Sequence, residues 1–302
     1  MNAALTLLRR EYWEHRGRNL WLPVVIFGLW MLASLILGIM VGGGFTDIHP
    51  TGTADAGDVA TLGFIIGSVF YIIYALASIG YLVSCLSEDR VDKSVLFWRS
   101  LPVSDHATVI SKVGAFAFVG PLIVWLATIL THLLVLLAFA CAASARGAEG
   151  FTVYYSWLAL LGTWALFAWA MLLTALWWLP YVGWLLVISA IFRKRTWIWA
   201  IILPIIVGFV QQGITYLVSS AHTATPYFFS FIIRHLVTAP VYFGGRTSIT
   251  PASVASQGHE TFLASAGAIT NFITLPSMWI GVGIGIGLIA AATIIRRYTA
   301  TA

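Results

Sequence analysis

Charge is what this sequence has least of. Only 9% of its 302 residues are Asp, Glu, Lys or Arg, against about a quarter in an ordinary soluble domain. So little charge excludes a soluble globular fold and implies an integral membrane protein. Cysteine is nearly absent too, with Cys85 and Cys141 alone. They fall at the ends of different apolar runs, at opposite membrane faces in the topology below, and neither has ligand spacing. A disulfide framework and a thiolate metal site are both excluded on that basis. No Gly-rich loop followed by Lys-Ser or Lys-Thr occurs in the chain, so a phosphate-cradling nucleotide loop is missing as well.

Hydrophobic residues make up 60% of the chain, and the mean hydropathy is +0.93. The net charge of +5 reports orientation before it reports a partner, and no basic-aromatic groove for nucleic acid appears. The fourteen Trp and eleven Tyr suit interfacial belts.

Apolar runs divide the chain. The first, residues 20–41, is longer than a signal-peptide core and lacks a small-x-small cleavage pattern, so it reads as a retained anchor. Before it, residues 1–19 are basic, with Leu5, Leu8 and Tyr12 on one stripe. An interfacial helix and a plain orienting flank both account for them. Further runs cover 61–84, 113–141, 151–192, 197–219 and 272–295. As one helix, 151–192 would be roughly 60 Å long, twice the hydrocarbon thickness. Pro180 breaks or kinks it, and the about a dozen residues that follow are short for a second crossing. It reads as one crossing, with 181–192 at or below the inner interface.

With the N-terminus inside, thirteen of the sixteen Lys and Arg face the cytoplasm, and only Arg146, Arg234 and Arg246 lie outside. A second crossing in 151–192, or a crossing by the apolar 227–243 part of the 220–271 external loop, would move basic clusters out. The expectation is an all-α integral membrane protein forming a single domain, 1–302. It has six transmembrane helices and cytoplasmic N- and C-termini, and 227–243 is interfacial or re-entrant.

The six runs contain no Asp, Glu, Lys or Arg, which argues against a proton-coupled transporter and against an intramembrane enzyme. His132, Gln211 and Gln212 are the candidates for a substrate path; polar contact between helices is the competing reading. His49, His222, His235 and His259 lack ligand spacing and read as external loop residues. Gly281, Gly283, Gly285 and Gly287 give two overlapping small-xxx-small pairs, which predicts close packing of the last helix on two sides.

The exception to the apolar pattern is the cytoplasmic loop 85–112. Val91, Val95 and Trp98 fall at i, i+4 and i+7, with Asp89 and Lys93 opposite, which predicts a short helix along the inner interface. Leu101-Pro102 stops it, and Ser104 or Asp105 can cap the helix that follows. Leu96 and Phe97 lie off the stripe and stay available to a partner. An ordinary cytoplasmic loop is the alternative.

These residues also carry a resemblance. Ser94-Val-Leu-Phe-Trp-Arg-Ser-Leu-Pro-Val-Ser-Asp105 with Val109-Ile-Ser-Lys112 is similar to the segment between the second and third spans of bacterial ABC-2 type transporter permeases. Leu179-Pro-Tyr-Val-Gly-Trp-Leu-Leu-Val-Ile-Ser-Ala190, Arg193 and Trp197-Ile-Trp-Ala-Ile-Ile-Leu-Pro204 resemble the fourth-to-fifth span region of the same family. The resemblance implies an ABC-2 (type V-like) architecture in the bacterial cytoplasmic (inner) membrane. It implies a permease subunit with no catalytic, cofactor or metal site of its own, paired with a second permease copy. Separate ATPase subunits would bind ATP and Mg and drive export. It further implies a coupling helix over 88–100, carrying Glu88, Asp89, Arg90, Asp92, Lys93, Leu96, Phe97 and Arg99. Arg193, Lys194 and Arg195 would form a second, smaller contact. Family members move ions, peptides, lipids, glycans and drugs, so cargo is left open. A non-transporting membrane scaffold or immunity protein that recruits a soluble partner is the alternative.

Overall fold

A computed structural model of the chain describes residues 56–91, 104–144, 157–218, 227–240 and 269–299, with scattered positions among 13–33 and Gly267. The helices are α1 (Ala56–Val91), α2 (Asp105–Gly114), α3 (Gly120–Ser144), α4 (Trp157–Trp177), α5 (Leu179–Ile191), α6 (Thr196–Val218), α7 (Tyr227–Val237) and α8 (Pro276–Thr299). A π-turn, Ala115–Val119, joins α2 to α3, and a 3-10 turn, Asn271–Thr274, precedes α8. No strand occurs among the described residues.

Five stretches are long and apolar enough to cross a membrane: Phe64–Val91, Asp105–Leu137, Leu160–Trp177, Thr196–Val218 and Pro276–Tyr298. The chain therefore has the transmembrane helical character that its composition predicts. The expected first span, 20–41, lies outside the described residues except for isolated helical positions, of which Ile26 and Trp30 rest on the core. Most of 1–19, most of 220–271 and all of 92–103 also lie outside them.

Helix α1 and the α4–α5 pair run parallel, offset by about a hundred residues, as the partners below show. Gly67 faces the Phe167 ring so closely that a Cβ there would meet Cζ at 2.6 Å. Tyr71 stacks on Trp178 at 6.0 Å. Ser189 Oγ accepts the backbone N–H groups of Leu86 and Ser87 at 2.9 and 3.1 Å. The two helices thus follow one another along α1 with a break at Trp178, whose carbonyl accepts from both Tyr181 N–H and Val182 N–H. Pro180 sits in the first turn of α5, where its missing N–H costs nothing. Helix α5 lies beside the Tyr71–Leu86 part of α1, with Val182, Leu186, Ile188 and Ala190 buried.

The α2–α3 helix carries an irregularity that the sequence reading did not anticipate. Pro121 cannot donate to the carbonyl four residues back, and its ring crowds that turn. The widened turn Ala115–Val119 relieves the crowding, and Gly120 N–H bonds to Ala115 O. Phe116 O is thereby released from the helix ladder, and the Tyr74 hydroxyl donates to it at 3.0 Å. Gly120 lets Tyr74 come this close, since any Cβ there would overlap the phenol ring.

The most extensive helix contact is α5 on α8. A Cβ on Gly285 would stand 2.7 Å from the Leu179 carbonyl carbon, and one on Gly183 would stand 2.8 Å from Gly285 O. Gly281 faces Pro180 on the same side. Gly283 and Gly287 meet nothing within 4 Å. The alternating glycines therefore pack on one side among the described residues, not two, because only the 281/285 pair falls on the face that α5 fills. Gly285→Ala is expected to lower stability by about 1–3 kcal/mol through overpacking. Gly283→Ala should stay within about 0.5 kcal/mol of the native chain. Thermal unfolding of the two variants in detergent checks this.

Candidate functional site

Four helix ends meet at one end of the bundle and carry nearly all the charge of the described residues. They are the last turn of α1, the start of α2, the α5–α6 turn and the last turn of α8. Glu88, Asp89, Arg90 and Val91 form the last turn of α1. They continue α1, whose helix runs unbroken from Ala56 to Val91, and do not begin a separate helix.

Asp89 turns inward. Its Oδ2 lies 3.2 Å from Arg296 Nη1 and 3.6 Å from Lys112 Nζ. Arg296 Nε lies 3.5 Å from Asp105 Oδ1. The side chains of Lys112 and Arg296 are only 2% and 4% exposed, so these charges are removed from water and must balance one another. Two carboxylates face two cations, and the cluster is neutral. The Arg296 contacts are at ion-pair distance without hydrogen-bond alignment, so attraction of opposite charge holds them. Lys112 also lies over the Tyr81 ring, 5.8 Å from its centroid.

Arg90 does different work. Its Nη2 donates to Ser189 O at 2.8 Å and to Phe192 O at 3.1 Å, which satisfies carbonyls left open at the C-terminal end of α5. Of the sequence-derived contact residues, then, Asp89 and Arg90 are engaged inside the chain. Glu88, Arg193, Lys194 and Arg195 are exposed. Asp92, Lys93, Leu96, Phe97 and Arg99 lie outside the described residues. The basic turn is tight: Arg195 adopts a left-handed conformation, φ 55°. Its carbonyl accepts Ile198 N–H at 3.0 Å, and Phe192 stacks on Trp199 at 4.7 Å across the turn.

Of the two expected caps for α2, Ser104 is the one used, with Oγ accepting Ala107 N–H at 3.2 Å. Asp105 is left to pair with Arg296. A cleft of about 280 Å³ opens beside them, lined by Ser104, Asp105, His106, Thr293, Ile294 and Arg297.

The substrate-path candidates are not brought together. His132 is buried between α3 and α4, where its Nδ1 accepts the Trp164 indole N–H at 3.1 Å, which requires the Nε2–H tautomer. Gln211 spends both ends of its amide between α6 and α7: Oε1 accepts Phe228 N–H at 3.3 Å, and Nε2 donates to Thr215 Oγ1 at 2.8 Å. It satisfies a donor at the start of α7. Gln212 beside it is half-buried. Among the described residues, no group of three His, Cys, Asp or Glu could hold a metal ion.

His235 is not a loop residue. It lies on α7, buried between the Trp177 ring at 4.2 Å and the Phe231 ring at 4.1 Å. The apolar face of Tyr227–Val237 draws it there, because that face docks on the α4–α5 junction. Trp177 Nε1 donates to His235 O at 2.7 Å, and the Tyr181 hydroxyl donates to Ile232 O at 2.6 Å. Tyr181 is ~12 Å of helix from Ser189 at the charged end, so α7 packs beside the α4–α5 junction, away from that end.

Sequence reasoning missed Lys112 and Arg296 as partners of Asp89. The available signal was position: Lys112 lies two turns inside α2, next to an apolar run that offers it no water. Against models of protein families, curated proteins and solved structures, the chain matches none.

Removing one member of the cluster strands a buried charge. Arg296→Gln or Asp89→Asn is expected to cost about 3–5 kcal/mol, and the double variant less than the sum of the two. Glu88→Gln should change stability by no more than about 0.5 kcal/mol. Thermal denaturation of the purified variants measures all four.

Proposed function

We propose that this chain is the permease subunit of an ATP-driven exporter of the ABC-2 kind, with its charged end in the bacterial cytoplasm. A second permease copy would complete the translocation path. Separate ATPase subunits, holding ATP and Mg, would dock on the 88–100 stretch and on Arg193, Lys194 and Arg195. The observation that carries this reading is the gathering of four helix ends, with their exposed charges, at one end of an apolar bundle. Both sequence stretches that resemble the permease family run into that end. Asp89 and Arg90 are committed to contacts within the chain, so the docking surface is drawn from Glu88, residues 92–100 and the exposed basic turn. Leu96 and Phe97 supply its apolar centre.

The mechanism follows from that geometry. Nucleotide closes the ATPase pair, the docked stretch moves with it, and the equilibrium between two arrangements of the permease shifts by the difference in binding energy. Among the described residues away from the charged end, the carboxylates and basic side chains are limited to Asp58 near the start of α1, Arg234 on α7 and the buried His132 and His235, which suits a drive supplied from outside the membrane. Trp, Phe and Gln side chains would line the path, suiting an amphipathic or hydrophobic cargo.

Co-expression with the ATPase encoded beside this chain is expected to yield a stable complex with vanadate-sensitive ATP hydrolysis. Leu96→Asp/Phe97→Asp should abolish assembly or turnover while the permease itself remains monodisperse in detergent. If no ATPase of the host forms a complex, the exporter reading fails, and a membrane scaffold for another soluble partner takes its place.

A further inference from the structure

We propose that the cleft between α2 and α8 holds the headgroup of an anionic phospholipid, one of whose acyl chains lies along the unpacked glycine face of α8. Such a site needs only the membrane spans and stands apart from the exporter reading. The cleft, about 280 Å³, lies between the first turn of α2 and the last turns of α8. Both helices belong to stretches long and apolar enough to cross a membrane, and the cleft sits where those stretches end. That is headgroup depth, not hydrocarbon.

Charge selects the headgroup. Asp89, Asp105, Lys112 and Arg296 neutralise one another, with Asp105 held 3.5 Å from Arg296. Arg297 therefore leaves the cleft with one positive charge in excess. It is exposed, and so is His106 on the α2 wall, which adds an imidazole N–H. Ser104 Oγ accepts Ala107 N–H, and its hydroxyl proton is left to donate. A cation and neutral donors around an open cavity between helix ends suit the oxygens of a lipid phosphodiester.

Apolar surface continues the cleft towards the membrane. One turn deeper on each helix stands an exposed isoleucine. Ile110, 62% exposed, is four residues from His106, and Ile294, 54% exposed, is three from Arg297. On α8 the same face runs on through Ala290, Gly287 and Gly283, all exposed. A Cβ on either glycine would meet nothing within 4 Å. Exposed Ile284 and Ile286 stand to either side, so the glycines form a groove between ridges. Glycine in a helix interior costs about 1 kcal/mol against alanine, and no described helix packs on this pair. Gly287 is ~15 Å along the helix from Arg297. That is half of a hydrocarbon core of roughly 30 Å, the reach of one leaflet's acyl chain. A soluble anion would use the cation and leave the groove empty; a phospholipid uses both.

The full chain, purified and delipidated in detergent, would be titrated with phosphatidylglycerol and with phosphatidylcholine and read by native mass spectrometry. One phosphatidylglycerol is expected to bind about fivefold or more tighter than phosphatidylcholine, the contribution of one basic residue at a membrane surface. Arg297→Gln should remove that preference. Gly287→Leu fills the groove and keeps the cation, and should weaken phosphatidylglycerol to a similar extent. Lys194→Gln removes an exposed cation at the same end but outside the cleft, and should change neither lipid.

Equal affinity of the native chain for the two lipids would overturn the proposal. So would equal losses in Arg297→Gln and Lys194→Gln, which would mean diffuse attraction to a basic surface. Glycerol phosphate binding as tightly as the lipid would make the cleft a site for soluble anions and overturn it too. A native dimer that Gly287→Leu splits with lipid binding unchanged would assign the groove to a second copy. Should one variant fail to purify, the other decides, and unchanged phosphatidylglycerol binding in it sinks the site.

Discussion

Lipid chains are as apolar as leucine, so a membrane interior gives one apolar helix no hydrophobic reason to choose another. Here the choice is made by the crossing of α5 and α8. Gly183 and Gly285 allow backbone to lie on backbone there. Once α8 is set in that groove, Arg296 falls beside Asp89, and Gly281 falls beside Pro180 and His235. The parallel run of α1 along α4 and α5 then fills the other side of α5, with Tyr71 on Trp178 and Leu86 on Ser189.

Irregular backbone decides where polar side chains attach. The π-turn before Gly120 releases Phe116 O to Tyr74. The end of α5 leaves Ser189 O and Phe192 O to Arg90. The start of α7 offers Phe228 N–H to Gln211. In each case a backbone group without its helical partner would be costly in a dry interior, and a long side chain from a neighbouring helix supplies the missing bond. These contacts set relative positions that apolar packing alone would leave loose.

The charged end has two layers with different tasks. Asp89, Asp105, Lys112 and Arg296 neutralise one another and tie α1, α2 and α8 together. Glu88 and the Arg193–Lys194–Arg195 turn remain outside that cluster, exposed and predominantly basic. A buried ion cluster and an exposed basic turn have opposite requirements for water. The chain meets both by placing neighbours such as Glu88 and Asp89 on different faces of one helical turn, Glu88 exposed and Asp89 buried.

By itself the sequence determined that this is a helical membrane protein. It determined where most of the described helices run, that Pro180 interrupts the longest apolar run, and that Ser104 or Asp105 starts the helix after the charged loop. Those features depend on composition, run length and local backbone chemistry, all of which are written in neighbouring residues. It did not reveal that Asp89 faces inward, that His235 is stacked between aromatic rings, or that only one of the two glycine pairs is packed. Asp89, Lys112 and Arg296 are far apart along the chain, and an amphipathic pattern shows only that a charge avoids lipid. Whether it avoids lipid by facing water or by facing an opposite charge depends on which helix lies alongside. That is a choice made by long-range packing, and only the tertiary structure decided it.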